Sequence, residues 1–294
     1  MNGIYKSIAG EREIRERYSR ILSRWPVPCE HLRLPTREGE TFVVACGPAN
    51  APPLLLFHGS GANSAMWMGD AATWSQHFRL FAVDMIGEPG LSAPARPPLA
   101  SESHALWLDD VMQGLSLARA SMAGVSLGGW LALDYATRRP HRIDRIVVLC
   151  PGGVGRQKNG ILFKAIFLQM FGEWGRKKAL EAALGPAPAG AAINPEFAKF
   201  VFLIQKHFRP RRVKIPQFSD ESLKRLQMPV LAIVGGRDAM LDSFDTKRRL
   251  ERCVPHASVC LLPDAGHLLR EQTTRVLEFL LDSRTIPRHA DQVL

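Results

Sequence analysis

"ASMAGVSLGGW", Ala120 to Trp130, sets one serine between an apolar run and a helix-like run. Its first half is a short apolar run suited to a buried strand, and WLALDYATRR, which runs on to Pro140, has the character of a helix. Between them Ser126 lies two residues after Gly124 and two before Gly128. A serine is presented above a sheet edge by a sharp, strained strand-to-helix turn, and such a turn needs small neighbours. The glycines meet that need, and Gly129 is expected to let the helix pack close to the strand. Leu127 would then point its backbone N–H, at a helix N-terminus, to where an oxyanion forms. Read alone, the motif is also compatible with a glycine-rich turn holding an incidental serine.

Working outward, HLRLPT and ETFVVACG look like a hairpin pair. PLLLFHG, FRLFAVDM, RIDRIVVLCP, MPVLAIVGG and SVCLLPDAG each read as an apolar strand ending in a loop. Helix-length segments separate them, such as Ser103 to Ala118. Strands buried on both faces and alternating with helices predict an α/β chain with a mostly parallel central sheet flanked by helices. Between Pro151 and about Leu226 the rhythm stops, and phenylalanine, glycine, proline and basic residues dominate. The expected organisation is a core of residues 1–151 and 227–294 with an inserted helical cap over 152–226. An N-terminal helix over about 8–25 places Ile14, Tyr18, Ile21, Leu22 and Trp25 on one face. Glutamates on its polar face and Pro26 at its end favour packing on its own domain over lying on a membrane.

A serine hydroxyl is unreactive at neutral pH without a base, and the base needs a carboxylate to orient it. Asp238 follows the strand PVLAIVGG, and His267 follows SVCLLP in the loop PDAGH. Both fall at C-terminal strand ends, the edge where open α/β sheets bind ligands. His77, His141 and His256 follow no sheet strand, His31 is placed before the first strand, and His207 lies in the basic cap segment. Asp242, Asp245 and Asp264 are the competing acids. The second oxyanion amide is expected from Ser60, in the turn His58-Gly59-Ser60-Gly61, with His58 fixing that loop by hydrogen bonding. Gly61, Met66 and Trp67 beside this turn are candidates for the substrate pocket, as are Phe163, Phe167, Phe171 and Trp174 of the cap. Met170, Phe197 and Phe200 share the ambiguity, since each such residue also reads as cap core.

Composition narrows the classes. The net charge of +10 comes from separate clusters, Arg12 to Arg24 among glutamates, Arg176 to Lys178, and Lys206 to Lys214, and no nucleic-acid-binding motif accompanies them. Solvation is the simpler account of Arg211, Arg212 and Lys214. No run of about 18 apolar residues predicts a membrane span, and MNGIYKSIAGEREIRERY carries no apolar secretory segment, so a cytoplasmic location is expected. The five cysteines are scattered and read as reduced thiols, with no metal site. These features are compatible with a homodimer.

Taken together, HGSG, VDMIGEPGLS, GVSLGG, GGRD and AGH resemble the α/β hydrolase superfamily over most of the chain outside the cap. The opening SRWPVPCEHLRLPTREGETFVVACGP, with APPLLLFHGSGANSAMW, resembles more narrowly the bacterial carboxylesterases that cleave bulky arylpropionate esters. The resemblance implies an α/β hydrolase fold with an inserted cap. It also implies an acyl-enzyme esterase without metal or organic cofactor, acting on a small-molecule ester of an apolar, aryl or medium-chain acid. Ser126 would be nucleophile, His267 base, Asp238 acid, and the amides of Ser60 and Leu127 the oxyanion hole. The chain departs from the family pattern G-x-G-x-S at Gly87-Glu88-Pro89-Gly90-Leu91-Ser92, which leaves that loop's part in the pocket open. Carbon–carbon bond hydrolases of aromatic degradation share the serine triad, and a non-catalytic small-molecule receptor on the same fold is the rival from another class.

Overall fold

A computed structural model of the chain describes residues 3–158, 160, 168, 171–185 and 195–282. The first helix, α1 (Ile8–Leu22), is capped by Ser7, whose hydroxyl accepts the Gly10 N–H, and buries Ile14, Tyr18 and Leu22. It stops three residues short of the expected Trp25, because the chain turns at Ser23 ahead of Pro26. Two strands follow, β1 (Cys29–Thr36) and β2 (Gly39–Cys46), joined by the two-residue turn Arg37-Glu38, after which Gly39 takes φ +101°. His31 thus lies inside β1 rather than ahead of it, since pairing begins at Cys29 opposite Cys46.

The core continues with β3 (Pro53–Phe57), a 3-10 turn over Ser64–Trp67, α2 (Met68–Trp74), β4 (Arg79–Val83) and α3 (Ser103–Gly114). After it come β5 (Ala120–Val125), α4 (Leu127–Arg138) and β6 (Ile143–Leu149). Then α5 (Gly172–Leu184), α6 (Pro195–His207) and the single turn α7 (Asp220–Leu223) precede β7 (Val230–Gly235), α8 (Ser243–Cys253), β8 (Ser258–Leu262) and α9 (Thr273–Leu281). Helix α3 ends before the expected Ala118; Ser116 already has φ +56°, outside helical backbone.

The sheet has eight strands in the order β1-β2-β4-β3-β5-β6-β7-β8. Pairing is antiparallel at β1/β2 and β2/β4 and parallel from β4 onward. Strand alternation sends Leu54 and Leu56 to one face and Leu55 and Phe57 to the other, each into its own apolar cluster. Full burial of such a side chain stabilises by about 1.5–3 kcal/mol, so both faces drive folding. Trp107, Trp130 and Leu131 cover one face; Tyr18 of α1, Trp74 and Val276 cover the other.

Register decides where the loops emerge. Phe57 pairs with Gly124, Val125 with Leu149, Leu149 with Ile233, and Gly235 with Leu262. The residues after β3, β5, β6, β7 and β8 therefore leave along one edge of the sheet. Helix α1 packs on α6, where Tyr18 stacks on Phe200 with ring centroids 6.0 Å apart, and Arg17 pairs with Glu196. Phe218, Leu223 and Leu226, ahead of β7, are buried in the same cluster as Trp130.

Candidate active site

Ser126, half-buried, caps α4 with φ +53° and ψ −107°, a backbone region that L-residues avoid. Its N–H donates to Leu149 O at 2.9 Å, and its carbonyl accepts from Trp130 N and Gly152 N at 3.0 Å each. The flanking glycines are required by neighbours. A Cβ on Gly124 would overlap Gly128 O, and one on Gly128 would overlap Phe57 O and stand 2.6 Å from His58 O. Gly129 is also tightly placed: a Cβ there would stand 3.1 Å from Pro151 Cβ and 3.2 Å from Gly124 O of β5, so both glycines let α4 approach the strands, Gly128 the more closely. Leu127 is the first residue of α4, so its N–H belongs to the turn that has no partner within the helix.

Along the same edge, His267 Nδ1 hydrogen-bonds Asp238 Oδ2 at 2.6 Å, and both residues are buried. The other oxygen, Oδ1, accepts from Met240 N at 2.7 Å and Leu241 N at 3.0 Å. Burial pushes this carboxyl up, but the His267 hydrogen bond and charge, with the two amides, outweigh it and hold it below its ordinary value. An ionised Asp238 fixes the proton of His267 on Nδ1 and leaves Nε2 as the basic nitrogen. The competing acids are occupied elsewhere: Asp242 caps α8, Asp245 pairs with Arg248 and Arg156, and Asp264 pairs with Arg237.

The loop after β3 runs beside the turn of Ser126, and a Cβ on Gly59 would sit 3.8 Å from the serine Cβ. His58 is fully buried. Met85 N–H donates to its Nε2 at 2.9 Å, which leaves the ring proton on Nδ1 to donate to Gly59 O at 2.8 Å. Burial holds its pKa below the usual histidine range, against the pull of Asp84, so the ring stays neutral as this bonding requires. Asn63 donates to Pro89 O at 2.9 Å, and Gly61 N–H donates to Glu88 Oε2 at 2.7 Å. Burial raises Glu88 to about 7 although the Gly61 amide, Arg211, Arg96 and the Ser60 hydroxyl all favour its charged form.

Cys150 Sγ, an Asp238 oxygen and a His267 nitrogen lie within 4.8 Å of one another. This trio makes a poor metal centre, because Asp238 is already committed to the imidazole and two amides. Burial, followed by the charge of Asp238, also pushes the Cys150 thiol well above its usual range, away from the thiolate that a metal takes. Cys150, directly after β6, has φ +42°, like Ser126 a non-glycine residue in the left-handed region.

The remaining sequence candidates are spread out. Gly61 and Met66 are half-buried beside the β3 loop, while Trp67 is buried against Trp74 in the core, ring centroids 5.7 Å apart. Phe171 and Trp174 meet edge to face at the start of α5, both exposed. Phe197 packs at the edge of the apolar cluster that contains Phe200. Phe163, Phe167 and Met170 lie outside the described residues. Arg211, expected to be solvated, instead keeps only 10% of its side chain exposed and faces Glu88. Sequence reasoning also missed Asp84, fully buried, which accepts from Tyr18 OH, Ser64 N and Oγ, and Leu91 N at 2.7–2.9 Å and so ties α1 to the loops after β3 and β4. An acid in an otherwise apolar stretch, as in FAVDMIGEPG, was the available signal for both Asp84 and Glu88.

The chain is similar to known proteins in sequence and in fold. Residues 54–279 match the Alpha/beta hydrolase family. The chain is 32% identical to carboxylesterase YbfK of Bacillus subtilis (strain 168), over 90% of this chain and 92% of that protein. The crystal structure of carboxylesterase CesB (YbfK) from the same organism superposes with a TM-score of 0.82 at 30% identity, covering 93% of this chain and 99% of that one. The structure of naproxen esterase (carboxylesterase NP) from Bacillus subtilis gives 0.81 at 28% identity, with 94% and 98% covered.

Proposed function

The chain belongs to the alpha/beta hydrolase family, and from that premise we propose that it is a serine esterase with Ser126 as nucleophile, His267 as base and Asp238 as acid. The observation that carries this reading is the buried His267–Asp238 pair, 2.6 Å apart, on the sheet edge where a strained turn presents Ser126. In the reaction Ser126 Oγ attacks the ester carbonyl and His267 Nε2 takes its proton. Asp238 holds the imidazole in that tautomer and stabilises the imidazolium. The amides of Ser60 and Leu127 receive the tetrahedral oxyanion. His267 then protonates the leaving alcohol, and water repeats the steps to release the acid.

The substrate is proposed to be a small ester with an apolar, aryl or medium-chain acyl group. Similarity to carboxylesterases, one of them a naproxen esterase, supports arylpropionate esters in the first panel. The test is intact-mass analysis after incubation with a fluorophosphonate, alongside turnover of p-nitrophenyl esters of graded acyl length. One adduct is expected, absent in Ser126→Ala, whose kcat should fall by roughly 10⁴–10⁶. Near-parental turnover in that variant would overturn the assignment. Faster turnover of a ring-fission diketone than of any ester would replace ester by carbon–carbon cleavage. Tight ligand binding with neither adduct nor turnover would make the chain a receptor.

A further inference from the structure

The loop after β4 carries Glu88, which is 1% exposed. An acid this deep costs free energy unless its oxygens are used. Oε2 accepts Gly61 N–H at 2.7 Å and lies 3.4 Å from the Ser60 hydroxyl. Oε1 receives no hydrogen bond and faces Arg211 Nε at 3.7 Å. Arg211 is anchored in turn on Pro97 O, and Arg96 on Gly87 O and Arg209 O. Gly61 has φ +69°, and beyond its chain neighbours no atom lies within 4 Å of where its Cβ would be, so nothing braces it on that side. Its N–H is held by the carboxylate.

We propose that Glu88 is a positioning residue for ester hydrolysis: by accepting the Gly61 N–H it fixes the Ser60–Gly61 segment and so aims the Ser60 amide at the oxyanion. The proposal rests on the serine-esterase reading above. Arg96 and Arg211 offset a negative charge that would otherwise oppose the oxyanion. Acceptance of one amide needs a lone pair and not a charge. A carboxamide keeps it, whereas aspartate, one methylene shorter, does not reach, and alanine removes it.

The test compares the full chain with Glu88→Gln, Glu88→Asp and Glu88→Ala on p-nitrophenyl butyrate at mildly alkaline pH. Rates are expressed as kcat per serine titrated to completion with fluorophosphonate, so that misfolded protein does not count. Displacing one oxyanion donor should lower kcat per titrated serine about tenfold or more in the Asp and Ala variants, with KM within about twofold. Glu88→Gln should stay within about threefold of the parent. If Glu88→Ala does not fold, the order of Gln above Asp still decides. Equal kcat per titrated serine in all chains, or a Gln variant as impaired as the Asp variant or more so, overturns the proposal. A parent chain that neither labels nor turns over overturns the esterase reading first, and this proposal with it.

Discussion

The turn after β5 and the loop after β3 lie side by side at one edge of the sheet, yet they are fixed by opposite means. The turn holds its shape through missing side chains: Gly124 and Gly128 let backbone meet backbone, and the hydrogen bonds that hold Ser126 among the described residues are main-chain bonds. The loop holds its shape through present ones, since His58, Asn63 and Glu88 reach from it or into it and are all buried. The first device is local and tolerates no added atom. The second is assembled from residues 26–27 positions apart and includes two ionisable groups, His58 and Glu88.

The largest effect is expected where the local device is broken. In Gly128→Ala the new methyl overlaps the carbonyl oxygen of Phe57, which is itself paired in the sheet and cannot retreat. Destabilisation of about 3 kcal/mol or more is expected in urea titrations. In protein that still folds, kcat should fall by about 100-fold through misplacement of Ser126. A variant with parental stability would mean that the turn is softer than its geometry indicates.

Breaking the side-chain device should cost less and depend on pH. His58→Phe keeps a ring but leaves the buried Met85 N–H without an acceptor, a loss of about 1–3 kcal/mol. The parent carries a further signature. His58 has a lower pKa folded than unfolded, so the folded state binds fewer protons. Stability should therefore fall as pH drops below the unfolded value of about 6.5. Chemical denaturation of parent and variant on either side of that pH checks it, because the variant lacks this contribution.

Glu88 gives the opposite sign. Its folded pKa, about 7, exceeds the unfolded value, so the folded state binds the proton more tightly. Stability is present at acid pH and is lost as pH rises from the unfolded value of about 4.3 to the folded one. The parent should lose on the order of 1–3 kcal/mol relative to Glu88→Gln across that window. A constant difference between the two chains would show that Arg211 and Arg96 keep the carboxylate ionised throughout.

The same contrast explains what the sequence made legible. The turn of Ser126 was readable because strand, serine, glycines and helix fall in one continuous stretch, Ala120–Arg138, and Asp238 and His267 because each follows an apolar strand run. Glu88 was visible as an acid in an otherwise apolar stretch and as a departure from a family pattern, and Arg211 as one charge in a basic cluster. Their meaning lies in each other, and pairs 123 residues apart leave no periodicity to read. Helix ends slipped for a related reason: Trp25 continues the apolar face of α1 yet is buried beyond its last turn, so burial alone overextended the helix.

Gly61 gives the smallest effect and the sharpest form of the comparison. Unlike Gly124 and Gly128, it meets nothing, so Gly61→Ala adds no clash and carries only the strain of φ +69° in an L-residue. That strain is about 1–2 kcal/mol, reduced because alanine also has fewer unfolded conformations to lose. The amide that Glu88 accepts is retained. Stability should therefore drop by roughly 1 kcal/mol, with kcat within about threefold of the parent. A loss as large as that of Gly128→Ala would mean that the β3 loop is also held by close packing, and the division between the two devices would fail. A loss of catalysis without a loss of stability would instead place the control of the Ser60 amide in the Gly61 backbone rather than in the carboxylate that faces it.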